Sequence, residues 1–204
     1  MECSATSTKT RGRPREFDPD AALGAALQVF WKHGYDGASL AELTEAMGIT
    51  KPSLYACFGN KEALFKKALD LYERDKLAYI RSALEAPSAR GVAERLFKGG
   101  VETYCGASES QGCLGVISLV ACTNEDSSIR DHVIARRQSS EAALVARFEE
   151  ALADGDLPEG TDPKVLAQCL TTMLQGLAIR AQAGAERADL EKLIAGFLAM
   201  WPGR

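Results

Sequence analysis

Histidine is almost missing from this sequence: 204 residues contain 2, His33 and His132. The 6 cysteines, Cys3, Cys57, Cys105, Cys113, Cys122 and Cys169, include no C-x-x-C pair. Structural zinc sites are built from such pairs and from histidines, so no metal site is expected. The G-x-S-x-G, H-E-x-x-H, Walker and dinucleotide-binding glycine motifs are missing too. No cofactor is expected, and an enzyme would have little to work with. No apolar run approaches the roughly 18 residues of a membrane span, and the N-terminal stretch is polar. A cytoplasmic protein with free thiols and no membrane partner is the expectation. A global basic field is lacking as well, since the net charge is −4. Any contact with nucleic acid must come from local clustering of charge.

Aromatics make up 7% of the residues, β-branched runs are short, and Ala and Leu are abundant. That balance favours an all-α protein. A hydrophobic content of 46% is ample for a core.

The stretch that organises the rest is Ser39 to Phe58, SLAELTEAMGITKPSLYACF. Ser39 and Glu42 form an S-x-x-E capping box at the start of a short helix. Leu40, Leu43 and Met47 give that helix an apolar edge, and Gly48 ends it. Thr50 caps a second helix with Pro52 in its first turn, where a missing N–H costs nothing. This second helix carries Thr50, Lys51, Ser53 and Tyr55 as polar groups able to donate hydrogen bonds. The pattern predicts a helix-turn-helix, with Thr50 to Cys57 entering a DNA major groove. A plain helical hairpin with a polar face would read the same way, so the flanking residues decide.

Residues 1–16 read as a flexible arm. Lys9, Arg11, Arg13 and Arg15 put four positive charges into seven residues, with Gly12 and Pro14 opposing a helix. Directly before a helix-turn-helix, such an arm suits the DNA backbone or minor groove better than bulk solvent. Asp18 and Pro19 start a first helix with Ala22, Leu23, Ala26, Leu27 and Phe30 on one face, ended by Gly34. After Phe58, Asn60 caps a helix expected to run unbroken to about Leu84. Lys61 and the free N–H groups at its start form a natural phosphate site.

These residues carry a resemblance. FWKHGY over residues 30–35, Ser39 to Gly48 and, above all, ITKPSLYACFGNKEALF over residues 49–65 resemble the TetR/AcrR family of transcriptional regulators. The resemblance covers the first third of the chain. It implies DNA contacts from Arg11, Arg13, Arg15, Ser39, Thr50, Lys51, Ser53, Tyr55 and Lys61. It also implies a larger helical domain for ligand binding and dimerisation. Cys57 departs from the pattern, which usually has His or Tyr there. A thiol is a poor phosphate donor, which puts one backbone contact in doubt. The expected division is 1–16 arm, 17–63 DNA-binding domain and 64–204 ligand-binding and dimerisation domain.

Beyond Leu84 the pattern predicts a helix from Val92 to Cys105, and a loop from Gly106 to Gly112. The apolar run CLGVISLVAC from Cys113 to Cys122 then reads as a helix buried on all sides. An amphipathic helix from Ser127 to Ala153 and a pair near 163–184 and 187–201 complete the chain. In the resemblance, the last pair meets its copy in a second subunit. Cys169, Leu170, Leu177, Leu190, Ile194, Phe197 and Trp201 are the expected contacts, although core packing accounts for part of these stripes. A largely apolar pocket is expected from Phe97, Val101, Tyr104, Cys113, Ile117, Ser118, Thr172, Met173 and Gln175.

The expected function is a homodimeric repressor that binds a palindromic double-stranded operator. A small apolar or electrophilic effector would release it. A helical enzyme with an appended DNA-binding module and a ligand-independent architectural protein are the competing readings. A third concerns Cys113, expected in the first turn of a helix, where the free N–H groups favour an anion and hence the reactive thiolate. Its Gly-Cys-Leu setting resembles electrophile-responsive members of the family. The simpler alternative is a small buried hydrophobe.

Overall fold

The computed structural model describes residues 17–106, 111–121 and 127–203. The arm with Arg11, Arg13 and Arg15 lies outside them, as do Cys3 and Cys122. The described residues form helices and no strands. α1 spans Pro19–Gly37, α2 Leu40–Ala46, α3 Lys51–Phe58 and α4 Lys61–Lys76. α5 spans Ala78–Leu84, α6 Ala89–Tyr104 and α7 Leu114–Ala121. α8 is Ser127–Ala153, α9 Pro163–Gln182 and α10 Arg187–Ala199.

The starts follow the capping residues. Asp18 accepts from Asp20 N at 2.9 Å, Asn60 from Ala63 N at 2.7 Å, and Asp162 from Lys164 N at 2.9 Å. Ser88 likewise caps α6, which starts three residues before the expected Val92, by accepting from Gly91 N at 3.1 Å. α1 carries one helical turn past Gly34, which itself is non-helical.

The helix expected to run unbroken from Asn60 is two helices, α4 and α5, divided at Leu77. Ile80 N donates to Leu77 O at 3.0 Å instead of continuing the ladder to Lys76. The Lys76 carbonyl accepts from the Thr103 hydroxyl of α6 at 3.2 Å. Tyr79 then lies flat against α6 at Gly99, where a Cβ would sit 2.2 Å from the ring. Tertiary contacts to α6 thus replace one turn of helix, an effect no local propensity records.

Two cores result. The first gathers Phe30, Trp31 and Tyr35 of α1 with Leu43, Leu54, Phe58, Leu64, Phe65 and Tyr72. Phe65 meets Phe30 edge-on at 5.1 Å and Tyr35 at 5.2 Å. This core does not stop at residue 63: Leu114 and Ile117 of α7 and Ile129 and Val133 of α8 belong to it. α7 is clasped between α1 on one side and α8 and α9 on the other, as its uniformly apolar sequence requires.

The second core joins α6, α8, α9 and α10. Phe97 meets Phe197 at 5.4 Å, and Phe148 meets Trp201 at 5.7 Å. It also buries Leu170, Leu177 and Leu190. These three and Trp201, expected at a subunit interface, therefore pack inside their own chain. The reason is helical phase: Leu170, Leu177 and Leu190 lie on the inward faces of α9 and α10, and Trp201, just past the end of α10, packs on Phe148 of α8. Ile194 and Phe197 are partly buried against the same core, while Cys169 faces outward.

Candidate DNA-binding face and effector cavity

The helix-turn-helix is held by its own caps. Ser39 Oγ accepts from Glu42 N at 3.1 Å, and Glu42 Oε2 accepts from Ser39 N at 2.9 Å. The Ser39 bonds hold the Glu42 carboxyl below its usual range. Gly48 turns the chain with φ +63, which the two-helix angle requires. At α3, Thr50 Oγ1 accepts from Ser53 N at 3.4 Å and lies 2.9 Å from Ser53 Oγ. Leu54 and Phe58 anchor α3 below, leaving Thr50, Lys51, Pro52, Tyr55 and Ala56 exposed.

Tyr55 is 44% exposed, unusual for a ring this large beside a well-filled core. Lys51 Nζ lies 6.0 Å from the Tyr55 ring centroid. Lys61 Nζ sits 4.5 Å from the Tyr35 centroid, at the N-terminus of α4. Ser39, Thr50, Lys51, Ser53, Tyr55 and Lys61 are thus all on α2, α3 and the start of α4. Cys57 is half-buried against the first core.

A cavity of about 780 Å³ opens between α4, α5, α6, α7, α8 and α9. Its apolar lining includes Leu69, Leu77, Ile80, Leu84, Leu96, Val116, Val133, Leu144 and Leu174. Of the expected pocket residues, Tyr104, Cys113 and Gln175 line it. Phe97 and Val101 are committed to the second core, and Met173 packs against it. Ile117 is buried toward α1, and Ser118 is buried with its hydroxyl unpaired. Thr172 is exposed on the outer face of α9.

Most of the polar cavity residues that sequence reasoning missed come from α4, α5 and α8: Tyr72, Glu73, Arg81, Arg136, Arg137, Ser140 and Glu141 among them. The available signal was the stripe Val133, Arg137, Ser140 and Leu144 on α8. It mixes polar and apolar groups on one face, as a ligand-lining helix does.

Cys113 sits at the N-cap of α7, its carbonyl accepting from Ile117 N at 2.9 Å. The Tyr72 hydroxyl beside it is buried, with the Cys113 thiol and the Leu114 N–H as its polar neighbours, and makes no well-formed hydrogen bond among the described residues. Burial holds Tyr72, Tyr79 and Tyr104 protonated, and the Tyr79 and Tyr104 hydroxyls are hydrogen-bonded to each other.

α8 is tied to α4 along the cavity rim. Arg136 pairs with both Asp70 and Glu73, and its Nε donates to His132 Nε2 at 3.1 Å. Burial, and next the Arg136 charge, push the His132 pKa down. At the first turn of α4, Glu62 accepts from Lys66 at 2.6 Å and from Ser128 at 3.0 Å. The Lys66 bond is the main cause of the lowered Glu62 pKa. Among the described residues no group of histidine, cysteine and carboxylate side chains could hold a metal ion.

The outer faces of α9 and α10 expose Val165, Ile179, Leu193 and Met200, with Cys169, Thr172 and Gly196 between them.

A capped helix-turn-helix joined through one helix to an α-helical cavity domain defines a one-component regulator architecture. The chain belongs to the TetR family of bacterial regulatory proteins. Residues 22–68 match the family's N-terminal model, and residues 94–197 match a tetracyclin repressor-like C-terminal domain. The chain is similar to the HTH-type transcriptional repressor ComR of Escherichia coli K12. Identity is 34% over 197 residues, covering 95% of this chain and 93% of ComR. With the repressor BdcR of the same organism, identity is 31% over 188 residues, covering 85% of this chain and 94% of BdcR. A solved cysteine mutant of the TetR-family regulator CifR, complexed with 26-base-pair double-stranded operator DNA, superposes with a TM-score of 0.87. Its identity is 44%, over 93% of this chain and all of that one. The chain is a DNA-binding transcriptional regulator. Among the described residues, no helix is long and apolar enough to cross a membrane.

Proposed function

We propose that the protein is a homodimeric repressor of a palindromic operator, released when a small effector fills the cavity. One observation carries this reading. The cavity spans the α4–α5 break, and only Gly59 and Asn60 separate α4 from the recognition helix α3. A ligand acts only through its differential affinity for two arrangements of the protein. Filling this cavity shifts α4 relative to α8 and hence the spacing of two recognition helices. The outward apolar face of α9 and α10 supports the dimer. Lys51 and Ser53 then read bases, while Tyr55, Lys61 and the arm arginines Arg11, Arg13 and Arg15 hold phosphates. Ser39 positions the pair through its cap. The test is operator binding by fluorescence anisotropy with light scattering on the same samples. Saturating effector lowers operator affinity while the mass stays that of a dimer. Dissociation to monomers, or turnover of the effector, overturns the reading.

A second reading has its own observation: Cys113 lines the cavity at a helix N-cap beside the buried Tyr72 hydroxyl. That placement suits an electrophilic effector, with Cys113 forming the bond and Tyr72 donating to the effector's oxygen. Alkylation at neutral pH with mass mapping tests it. Cys113 reacts ahead of Cys105 and Cys169, and Cys113→Ser abolishes both the adduct and the loss of DNA. Equal labelling of all thiols ends this reading.

A further inference from the structure

The polar groups of the cavity are unevenly matched. Four arginines, Arg74, Arg81, Arg136 and Arg137, face two carboxylates, Glu73 and Glu141, across a lining otherwise dominated by apolar side chains. Two of the four are already paired: Arg136 with Asp70 and Glu73, and Arg74 with Asp75 at 2.7 Å. Arg81 and Arg137 have no hydrogen-bond or ion-pair partner among the described residues. Glu141 stands one turn from Arg137 on α8, but it accepts from Gln168 of α9 at 3.3 Å. Arg137 is half-buried. A guanidinium partly removed from water on an aliphatic wall is unfavourable until an anion meets it. Its planar fork fits a carboxylate with two parallel hydrogen bonds. Ser139, Ser140 and Thr171 add neutral polar groups on the same lining.

We propose that the effector is an amphipathic monocarboxylate, with an aliphatic or aryl-aliphatic body among Leu69, Leu96, Val133 and Leu144. Its carboxylate is bound by Arg137, with Arg81 as a second donor. This rests on the reading of the cavity as the effector site. A volume of about 780 Å³ holds a body of this kind and excludes a bare inorganic anion as the preferred occupant.

The experiment is calorimetric titration of the full-length protein with octanoate, decanoate and phenylbutyrate. Each is compared with its methyl ester, and octanoate also with octyl phosphate. The acids bind at least tenfold more tightly than their esters. Arg137→Gln removes at least tenfold of the affinity for the acids and leaves the esters unchanged; Arg81→Gln gives a smaller loss of the same kind. Thermal melting of both variants verifies folding, and retained ester binding by Arg137→Gln shows an intact cavity. Esters binding as well as acids, octyl phosphate outbinding octanoate, wild-type acid affinity in Arg137→Gln, or no binding by any acid overturns the assignment. Operator release is measured separately. An acid that binds without releasing DNA sinks the effector reading and leaves the carboxylate assignment standing. Release by the esters alone does the reverse.

Discussion

Trp31 and Gly112, 81 positions apart, are joined by one buried hydrogen bond: the indole Nε1 donates to the Gly112 carbonyl at 3.2 Å. The Trp31 ring also meets Tyr72 edge-on at 4.9 Å. Gly112 precedes Cys113, and both Cys113 and Tyr72 line the cavity. α1 of the DNA-binding domain therefore touches the back of the cavity wall directly, in addition to the route through α4. Gly112 is held tightly there. Its φ is +84, and a Cβ would lie 3.0 Å from the Ala178 carbonyl of α9.

Trp31→Phe keeps most of the apolar contact and removes the donor, leaving the Gly112 carbonyl unpaired in the core. A stability loss of about 1–3 kcal/mol is expected. Denaturant unfolding of the variant measures it. Operator affinity without effector stays near wild type, while the effector concentration for half-release changes. An unaltered response would show that this contact is structural only.

On the DNA face, two substitutions separate positioning from reading. Lys61→Ala weakens binding about equally on all sequences and lowers the salt slope by about one unit. Lys51→Ala relaxes discrimination at one position in each half-site, worth about 1–3 kcal/mol between right and wrong base pairs. Half-sites are expected about one helical turn apart, roughly 34–36 Å. Anisotropy titrations over several salt concentrations on matched and mismatched operators check all three. Selective loss on one operator by Lys61→Ala contradicts its assignment to phosphate.

Ile179 is 48% exposed and Met200 77%, so polar groups there leave the protomer's own packing intact. Ile179→Asp is expected to give folded monomers by light scattering, with unchanged helical circular dichroism and weakened operator binding. Leu170→Ala, fully buried in the second core, instead costs about 2–5 kcal/mol of stability. A dimeric Ile179→Asp protein would place the subunit contact elsewhere.

His132 supplies a pH dependence. Its Nε2 accepts from Arg136, which requires the neutral ring with the proton on Nδ1. Its folded pKa is lowered from 6.5, by burial first and the Arg136 charge second, with Asp70 and Glu73 opposing. The unfolded chain therefore binds more protons between the folded value and 6.5, and stability rises with pH across that window. This contribution is fully present above pH 6.5 and lost as pH falls through the folded value. Melting of wild type and His132→Gln at several values from pH 5 to 8 is the measurement. Wild type loses more on acidification than the variant does; parallel curves would remove His132 from the account.

Much of the DNA-binding half was legible because its determinants are local. Ser39 with Glu42, Thr50 with Ser53, and Asn60 with Ala63 bond across three positions, so adjacent residues determine where each helix begins. The break at Leu77 was not legible, since its causes, Thr103 and Gly99, lie on α6. The cavity was legible only in part: Tyr104, Cys113 and Gln175 of the expected residues line it, while Arg136 and Arg137 of α8 were not expected there.

The sequence by itself determined nine helical segments among the described residues, one of them covering both α4 and α5, the caps at Asp18, Ser39, Thr50 and Asn60, and the polar upper face of α3. Hydrogen bonds within a turn and the period of apolar residues suffice for that. Only the tertiary structure decided which apolar residues of α9 and α10 fill the chain's own core and which face outward. Leu170, Leu177, Leu190 and Trp201 went in; Val165, Ile179, Leu193 and Met200 stayed out. It also decided that Arg137 lines a cavity. Both outcomes depend on which helix stands opposite, and a helix stripe of given hydrophobicity carries no record of its neighbour.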